Sequence, residues 1–432
     1  MRLVRTRLLD SFAPLREPQF RLLFSAHAIS TFGDMLVPVA LAFAVLDLTG
    51  SASDLGFVLT ARLVPMVLFM LAGGVWADRL PREALMIGSS LVRLVTQSVL
   101  GVLLVSGSAR IWELVVLQAA NGAATAFFRP ASTGIVPQTV SPARFQQANA
   151  LMWSAVGTAG FAGPAVAGVI LTVASPGWAI LADALTFAVA AWLLSRLRLP
   201  PREVAPRERF LHELAAGWRE VASRRWLWAS IVVFSLFQLT VIASISVLAP
   251  LVAKRSLGGH SAYALIVAAF GIGSVLGNLA ALHVRARRPL VVSYLLCAMT
   301  VPTLFLLAFA VPAPAIAASE VVAGLCIGVA GVLYETTLQE QIPTEAYGRV
   351  ASWDWMGSTA LRPAGLAVMG PLAALVGVQP VLIGNGTLVL GSLALLLAVP
   401  EVRSVRSRGA APHVEPVLLG PEPLPEDQAL EL

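Results

Sequence analysis

The sequence predicts an all-α polytopic membrane protein with twelve transmembrane helices arranged as two six-helix, pseudo-symmetric halves. Three observations lead there: composition, the spacing of apolar runs, and a repeat between the halves. The 432 residues are 57% hydrophobic and only 12% charged, with a mean hydropathy of +0.80, whereas soluble domains carry about 25% charged residues. A helix needs roughly 20 apolar residues to cross the hydrocarbon of a bilayer. Such runs recur near 20–47, 54–77, 84–106, 110–136, 145–174, 177–197, 226–252, 261–284, 289–311, 313–340, 346–376 and 378–399. Their length and continuity favour helices over barrel strands, which would be alternating segments of about 10 residues.

The repeat lies in span 4 and span 10. Gly122 to Gln138 aligns with Gly328 to Thr344 at a constant offset, bringing Pro137 onto Pro343 and Arg144 near Arg349. Two weakly similar halves in the same orientation fit a parallel repeat. The predicted organisation is therefore a first half over 1–197, a linker over 198–225, a second half over 226–400 and a polar, Pro-rich, aperiodic tail over 401–432 expected to be disordered. Within the linker, Leu211, Leu214, Ala215, Trp218 and Val221 recur at helical spacing, suited to a helix lying on the inner membrane surface.

The net charge of +6 and pI of 10.1 are a topology signal, not a nucleic-acid footprint. About 23 of the 30 Lys and Arg fall in the N-terminus, the even-to-odd loops, the linker and the tail, against about three (Arg110, Lys254, Arg255) in the opposite loops. That asymmetry puts both termini in the cytoplasm. The basic N-terminus lacks a short apolar core with a small-residue cleavage site, so the first span is expected to stay attached. Cys297 and Cys326 both sit inside apolar spans and read as small core residues.

Several chemistries are disfavoured. No segment has the G-x-x-x-x-G-K-[ST] pattern of an ATP-driven exporter, so an ion gradient is the expected energy source and no cofactor is expected. The five His and two Cys make no metal-ligand cluster, and no G-x-S-x-G elbow is present, so neither a metal site nor an enzyme is expected.

Between spans 2 and 3 the string GGVWADRLPRE, Gly73 to Glu83, places an acid and two arginines in a tight connection. It resembles the signature loop of the major facilitator superfamily, roughly G-x-x-x-D-R-x-G-R-[RK]; Gly74, Asp78, Arg79 and Arg82 match, whereas Pro81 and Glu83 depart. The first span and its exit resemble the branch holding macrolide-efflux and enterobactin-exporter-like proteins, through Gly33, Asp34, Pro38, Thr49, Gly50, Ser51 and Gly56. The turn from span 4 to span 5 is similar through Pro130, Ala131, Pro137, Ala148 and Asn149. In GFAGPAVAG, Gly163, Pro164 and Gly168 match the superfamily's antiporter motif, with Ala167 where a second Gly is usual. Gln118 stands where that pattern has a membrane arginine, so the arginine's role does not carry over. The second-half counterpart of the signature loop keeps Arg285, Arg287 and Arg288 but has Ala281 in place of the acid.

A charge at mid-membrane costs several kcal/mol, roughly 2.5 to 3.5 on insertion scales, so each one is a functional hypothesis. Asp34, near the middle of span 1, shares a stripe with His27, Ser30, Thr31 and Pro38 that should face a central cavity. Burial favours the neutral acid and a nearby arginine the charged one, so alternation between those settings makes Asp34 the expected proton-coupling carboxylate; the plainer alternative is permanent pairing as packing glue. Arg62 is its expected partner; Arg93 and Arg362 also lie near mid-depth and, with His27, Thr31 and Gln238, are expected to line the substrate cavity. For the arginines too, structural pairing within one half is the competing view.

Arg129 and Glu335 occupy equivalent repeat positions with opposite charge, which suits an inner gate; the alternative is that each snorkels to the headgroups. The resemblance implies that Asp78 meets the N-terminal end of span 11, with Arg79 and Arg82 bridging to neighbouring acids, as the cytoplasmic gate. Gly273 and Gly277 read as close helix packing. The function expected is proton-antiport export of amphipathic small molecules such as drugs, siderophores or secondary metabolites. The expected location is a bacterial cytoplasmic (inner) membrane, and the expected form is a monomer whose partners are substrate, protons and lipid, with no nucleic acid. An importer of a small metabolite on the same fold, or a non-transporting membrane sensor or scaffold, remains the alternative.

Overall fold

A computed structural model describes residues 13–79, 81–141, 144–199, 217–281 and 283–407; the side chains of 71–79, 129, 130, 133, 134, 137, 146, 344 and 345 lie outside the described set. Among the described residues, twelve helices are long and apolar enough to cross a bilayer. In the first half they are α1 (Pro18–Thr49), α2 (Ala52–Arg79), α3 (Arg82–Val105), α4 (Ile111–Ile135), α5 (Phe145–Val173) and α6 (Pro176–Leu194). In the second half they are α7 (Arg225–Leu257), α8 (His260–Ala281), α9 (Pro289–Ala308), α10 (Ala313–Gln341), α11 (Ala346–Val376) and α12 (Val378–Ala398). In hydrocarbon every backbone N–H and C=O must be satisfied within the segment, which is why continuous apolar runs fold as helices. Prolines open α1, α6 and α9, where their missing N–H costs nothing. Gly50 closes α1 in the left-handed region (φ 66°), donating its N–H to the Leu46 carbonyl at 2.9 Å. Trp112, Trp178, Trp192 and Trp228 lie exposed near helix ends, the aromatic girdle expected of a membrane protein.

An even number of crossings puts residues 13 and 407 on one side, called here the termini end; the short connections at Gly50, 106–110, 174–175, 258–259, 309–312 and Gly377 lie at the far end.

The repeat is visible in the packing. A Cβ on Gly122 of α4 would overlap the Arg62 carbonyl of α2, and one on Gly328 of α10 would lie 2.6 Å from the Ser274 carbonyl of α8. Gly273 and Gly277 likewise bring α8 against the Val321 and Leu325 carbonyls of α10, so this pair serves helix packing.

Among the described residues, three helices depart from regular geometry. α7 carries wide turns at Gln238–Ile242 and Ala253–Leu257, and α9 tightens at Ala298–Thr300, just before Pro302. The run expected as one helix over 346–376 is interrupted: it consists of Thr344–Thr359 and Arg362–Val376. Pro363 is the reason, since it has no N–H for the Thr359 carbonyl and its ring crowds that turn. The Leu361 N–H freed by the break donates to Ser235 Oγ of α7 at 3.1 Å.

Of the linker, 217–222 is helical, with Trp218 packed at a tilt on Trp353 of α11, 5.0 Å between ring centroids; the rest of the predicted surface helix lies outside the described residues. The start of the tail departs from the expected disorder. Pro400–Ser404 is a short helix, Val402 is buried, and the Glu401 carboxylate accepts the Trp226 N–H at 3.2 Å. Cys297 and Cys326 are buried, free thiols.

Candidate functional site

Four mid-membrane charges of the first half come together. Asp34 is 16 residues from Pro18 and 15 from Thr49, at the centre of α1. One carboxylate oxygen accepts from Arg62 Nη2 of α2 at 2.8 Å, and the other accepts from Arg93 Nη2 of α3. The side chains of Asp34 and Arg62 are each 23% exposed, whereas that of Arg93 is 2% exposed. Arg93 is held from the sides by aromatic faces, its guanidinium carbon 3.8 Å from the Phe187 ring centroid and 5.8 Å from that of Phe128.

Beside this triad stands Asp183 of α6, wholly buried. Its Oδ2 accepts from Gln97 Nε2 of α3 at 2.6 Å. The Thr186 hydroxyl donates to the Asp183 main-chain carbonyl at 2.6 Å and lies 3.4 Å from the carboxylate Oδ1. The fit between α1 and α6 depends on Gly33, where a Cβ would overlap the Thr186 hydroxyl and come 2.5 Å from Asp183 Oδ1. From α4, Gln118 and Asn121 are wholly buried with both amides unpartnered among the described residues.

The halves are joined at the far end. Lys254 of α7 donates to the Asp47 carboxylate at 2.5 Å and to the Leu46 carbonyl at 2.6 Å, where a cation also complements the C-terminal end of α1. His260 and Tyr263 of α8 pack on Phe43, with centroids 5.9 and 6.2 Å apart. Thr60 of α2 donates to the Pro363 carbonyl of α11 at 3.3 Å, and Gly56 lies against the Leu366 carbonyl.

The family model that matches residues 23–366 is that of the Major Facilitator Superfamily. The chain belongs to this superfamily. It is thus a multi-pass membrane transporter of the secondary type, not an enzyme, and small molecules are the substrates of its class. Among curated relatives, macrolide efflux protein A of Streptococcus pyogenes is 23% identical over 403 residues, covering 90% of this chain and 96% of the relative. Enterobactin exporter EntS of Escherichia coli O1:K1 / APEC is 27% identical over 405 residues, covering 90% and 94%. Among solved structures, a bacterial homologue of the human lysosomal transporter Spinster, inward-facing and unoccupied, matches with a TM-score of 0.67 at 16% identity over 90% of this chain and 98% of that one. The nucleoside transporter NupG matches with a TM-score of 0.69 at 11% identity over 88% and 98%. These likenesses establish the fold.

Within this Major Facilitator Superfamily chain, the expected pair of Asp34 and Arg62 is in contact, and Arg93 joins it. Of the expected stripe, Ser30 turns inward and donates to the His27 carbonyl at 3.2 Å, while His27 and Thr31 are half-buried and Pro38 is exposed. Gln238 begins the wide turn of α7, and half-buried Arg362 opens the second segment of α11. In the antiporter motif, Gly163 and Gly168 are close-contact points: Gly163 lies against Met35, next to Asp34, and Gly168 against Ala264 of α8 across the halves, with Pro164 inside α5.

The side chains of Asp78, Arg79 and Arg129 lie outside the described residues; Arg82 opens α3. Glu335 is exposed and accepts from the Tyr347 hydroxyl of its own half. Sequence reasoning passed over Asp183 and Glu320, although an acid inside an apolar span was itself the signal. The missing arginine at Gln118 has a structural counterpart: α2 and α3, not α4, bring the guanidinium groups to Asp34.

Proposed function

We propose that this transporter exports amphipathic small molecules by proton antiport, as a monomer in a bacterial cytoplasmic membrane with both termini in the cytoplasm. The observation that carries the reading is the Asp34–Arg62–Arg93 cluster, an ionisable centre at mid-membrane depth. A carboxylate shared by two guanidinium groups ties α1, α2 and α3 together through charge, so a proton gained or lost within this buried centre changes how strongly the three helices are held. The export direction is supported by the two relatives whose names are an efflux protein and an exporter. The basic bias of the termini end supports the orientation.

With that orientation, the far-end contacts close the periplasmic side in the described state. Asp78, Arg79, Arg82 and the pair of Arg129 and Glu335 then form the opposing gate when the halves rock the other way. His27, Thr31, Gln238 and Arg362 line the path between the halves, with Asp34 and Arg62 at its edge.

Everted vesicles supplied with a panel of macrolides, catecholate siderophores and amphipathic dyes test the reading. Wild type is expected to accumulate at least one of these probes when a pH gradient is imposed and to lose it on adding a protonophore, with no effect from a sodium ionophore. Asp34→Asn is expected to abolish accumulation. Gradient-independent transport, or accumulation unaffected by Asp34→Asn, overturns it.

A further inference from the structure

We propose that Asp183, and not Asp34, is the carboxylate that takes up and gives back the proton, with Asp34 as the standing counter-anion of Arg62 and Arg93. The proposal rests on the proton-driven reading above and names the group within it.

The two acids have opposite surroundings. Each oxygen of Asp34 has its own guanidinium donor. A proton there would displace one of these bonds and leave two guanidinium groups, that of Arg93 fully buried, facing each other with no anion between them, the costly way to break a largely buried ion cluster. Asp183 is wholly buried, and among the described residues no Lys, Arg or His nitrogen lies within 4.0 Å of it. Its carboxylate has one good donor, the Gln97 amide. One neutral amide does not replace the hydration of a charged carboxylate, whereas a neutral carboxylic acid is easily accommodated.

The facing charges come from the helices packed around α6. Asp34 lies on α1, Arg93 on α3, and Arg62 of α2 is within electrostatic reach; α5 carries no charged residue. Two guanidinium groups and one fixed carboxylate leave a net positive charge that an ionised Asp183 cancels and a protonated Asp183 uncovers. Protonation at Asp183 is therefore felt by the Asp34 cluster without breaking it.

Gln97 is built to hold both forms. Its Nε2 donates to Asp183 Oδ2, while its Oε1 is buried without a partner among the described residues. Turning the amide over presents Oε1 as the acceptor for the O–H of the protonated acid. The step is a plain proton transfer: carboxylate and proton give carboxylic acid, and the Gln97 hydrogen bond reverses direction. Access requires α1 to move, because Gly33 covers Asp183. Pro38 leaves the Asp34 carbonyl without its helical donor, which makes that turn of α1 a hinge.

Infrared difference spectra of the purified protein titrated with acid and base read the proton directly and need no substrate. Wild type is expected to show a protonated-carboxyl C=O band that appears at low pH and fades at high pH. Asp183→Asn is expected to lose it; Asp183→Glu and Gln97→Leu are expected to keep it with a shifted midpoint. A titrating band unchanged in Asp183→Asn overturns the proposal. Should Asp183→Asn not fold, an unshifted band in both Asp183→Glu and Gln97→Leu overturns it equally. In vesicles, Asp183→Asn is expected to reduce pH-driven accumulation of the transported probe to the protonophore level while retaining probe exchange. If wild type itself shows no pH-driven accumulation, the antiport reading fails; if wild type and Asp183→Asn are both driven, only the assignment to Asp183 fails.

Discussion

The two halves share a packing scheme but spend polarity differently. In the first, the interior holds Asp34, Arg62, Arg93 and Asp183 within one cluster. In the second, the buried polar groups are mostly neutral, bonded to main-chain groups or to one another, as in Ser230 with Tyr294 at 2.5 Å, Asn385 with Ser244 at 2.8 Å and Thr303 with Ser319 at 3.0 Å. The glycines that set helix spacing, Gly122 and Gly328, do the same work in both. A repeat thus constrains backbone approach, which every copy of the fold needs, and leaves charge free to diverge. Glu320, buried at 2% exposure with one oxygen unpartnered among the described residues, and half-buried Asp354, which accepts from the Tyr334 hydroxyl at 2.7 Å, are exceptions in the second half.

Breaking the ionic side of this contrast should have the largest effect. Asp34→Ala leaves Arg62 and buried Arg93 without their shared anion, and losing one member of a buried ion pair costs about 3–5 kcal/mol. The neutral counterpart, Tyr294→Phe, removes one hydrogen bond worth about 0.5–1.5 kcal/mol. Thermal unfolding of the purified variants in detergent checks the ranking, and equal losses would erase the difference between the halves.

A smaller effect sharpens the shared part. Gly122→Ala and Gly328→Ala each force a methyl group against a neighbouring carbonyl, and overpacking of this kind costs about 1–3 kcal/mol. Both should therefore be destabilised to a similar degree, whereas Gly331→Ala, with open space around its Cβ position, should be neutral in the same melts.

The smallest effect concerns the contact between the halves. The pair of Lys254 and Asp47 is partly exposed, with side chains 34% and 53% accessible, and such pairs contribute about 0.2–1 kcal/mol. Lys254→Ala should raise the population open at the far end by up to about fivefold. The labelling rate of a cysteine introduced at Phe43 reports it.

Much of this was legible in the residues. Apolar length and composition are local properties, so the twelve spans could be read from the chain, and so could the repeat through Gly122 and Gly328. Asp34 and Arg62 were readable as partners because both sit near mid-depth, and depth follows from counting along a helix at 1.5 Å per residue. Rotation and neighbour choice do not follow from counting. Arg93 was expected in the cavity but is stacked on Phe187, and Asp183 drew no attention until α6 was seen against Gly33. The break in α11 did have a signal, the Arg362–Pro363 step, masked by the apolar residues on both sides.

Hydrocarbon demands twenty apolar residues and a satisfied backbone from each segment separately, so the amino-acid order alone dictated spans, halves and the presence of costly mid-membrane charges. Which of those charges meet is a matter of helix rotation and close approach at small residues. Only the packed bundle decided that two arginines enclose Asp34 and leave Asp183 to a single amide, because pairing energies depend on distance and burial, which no single segment contains.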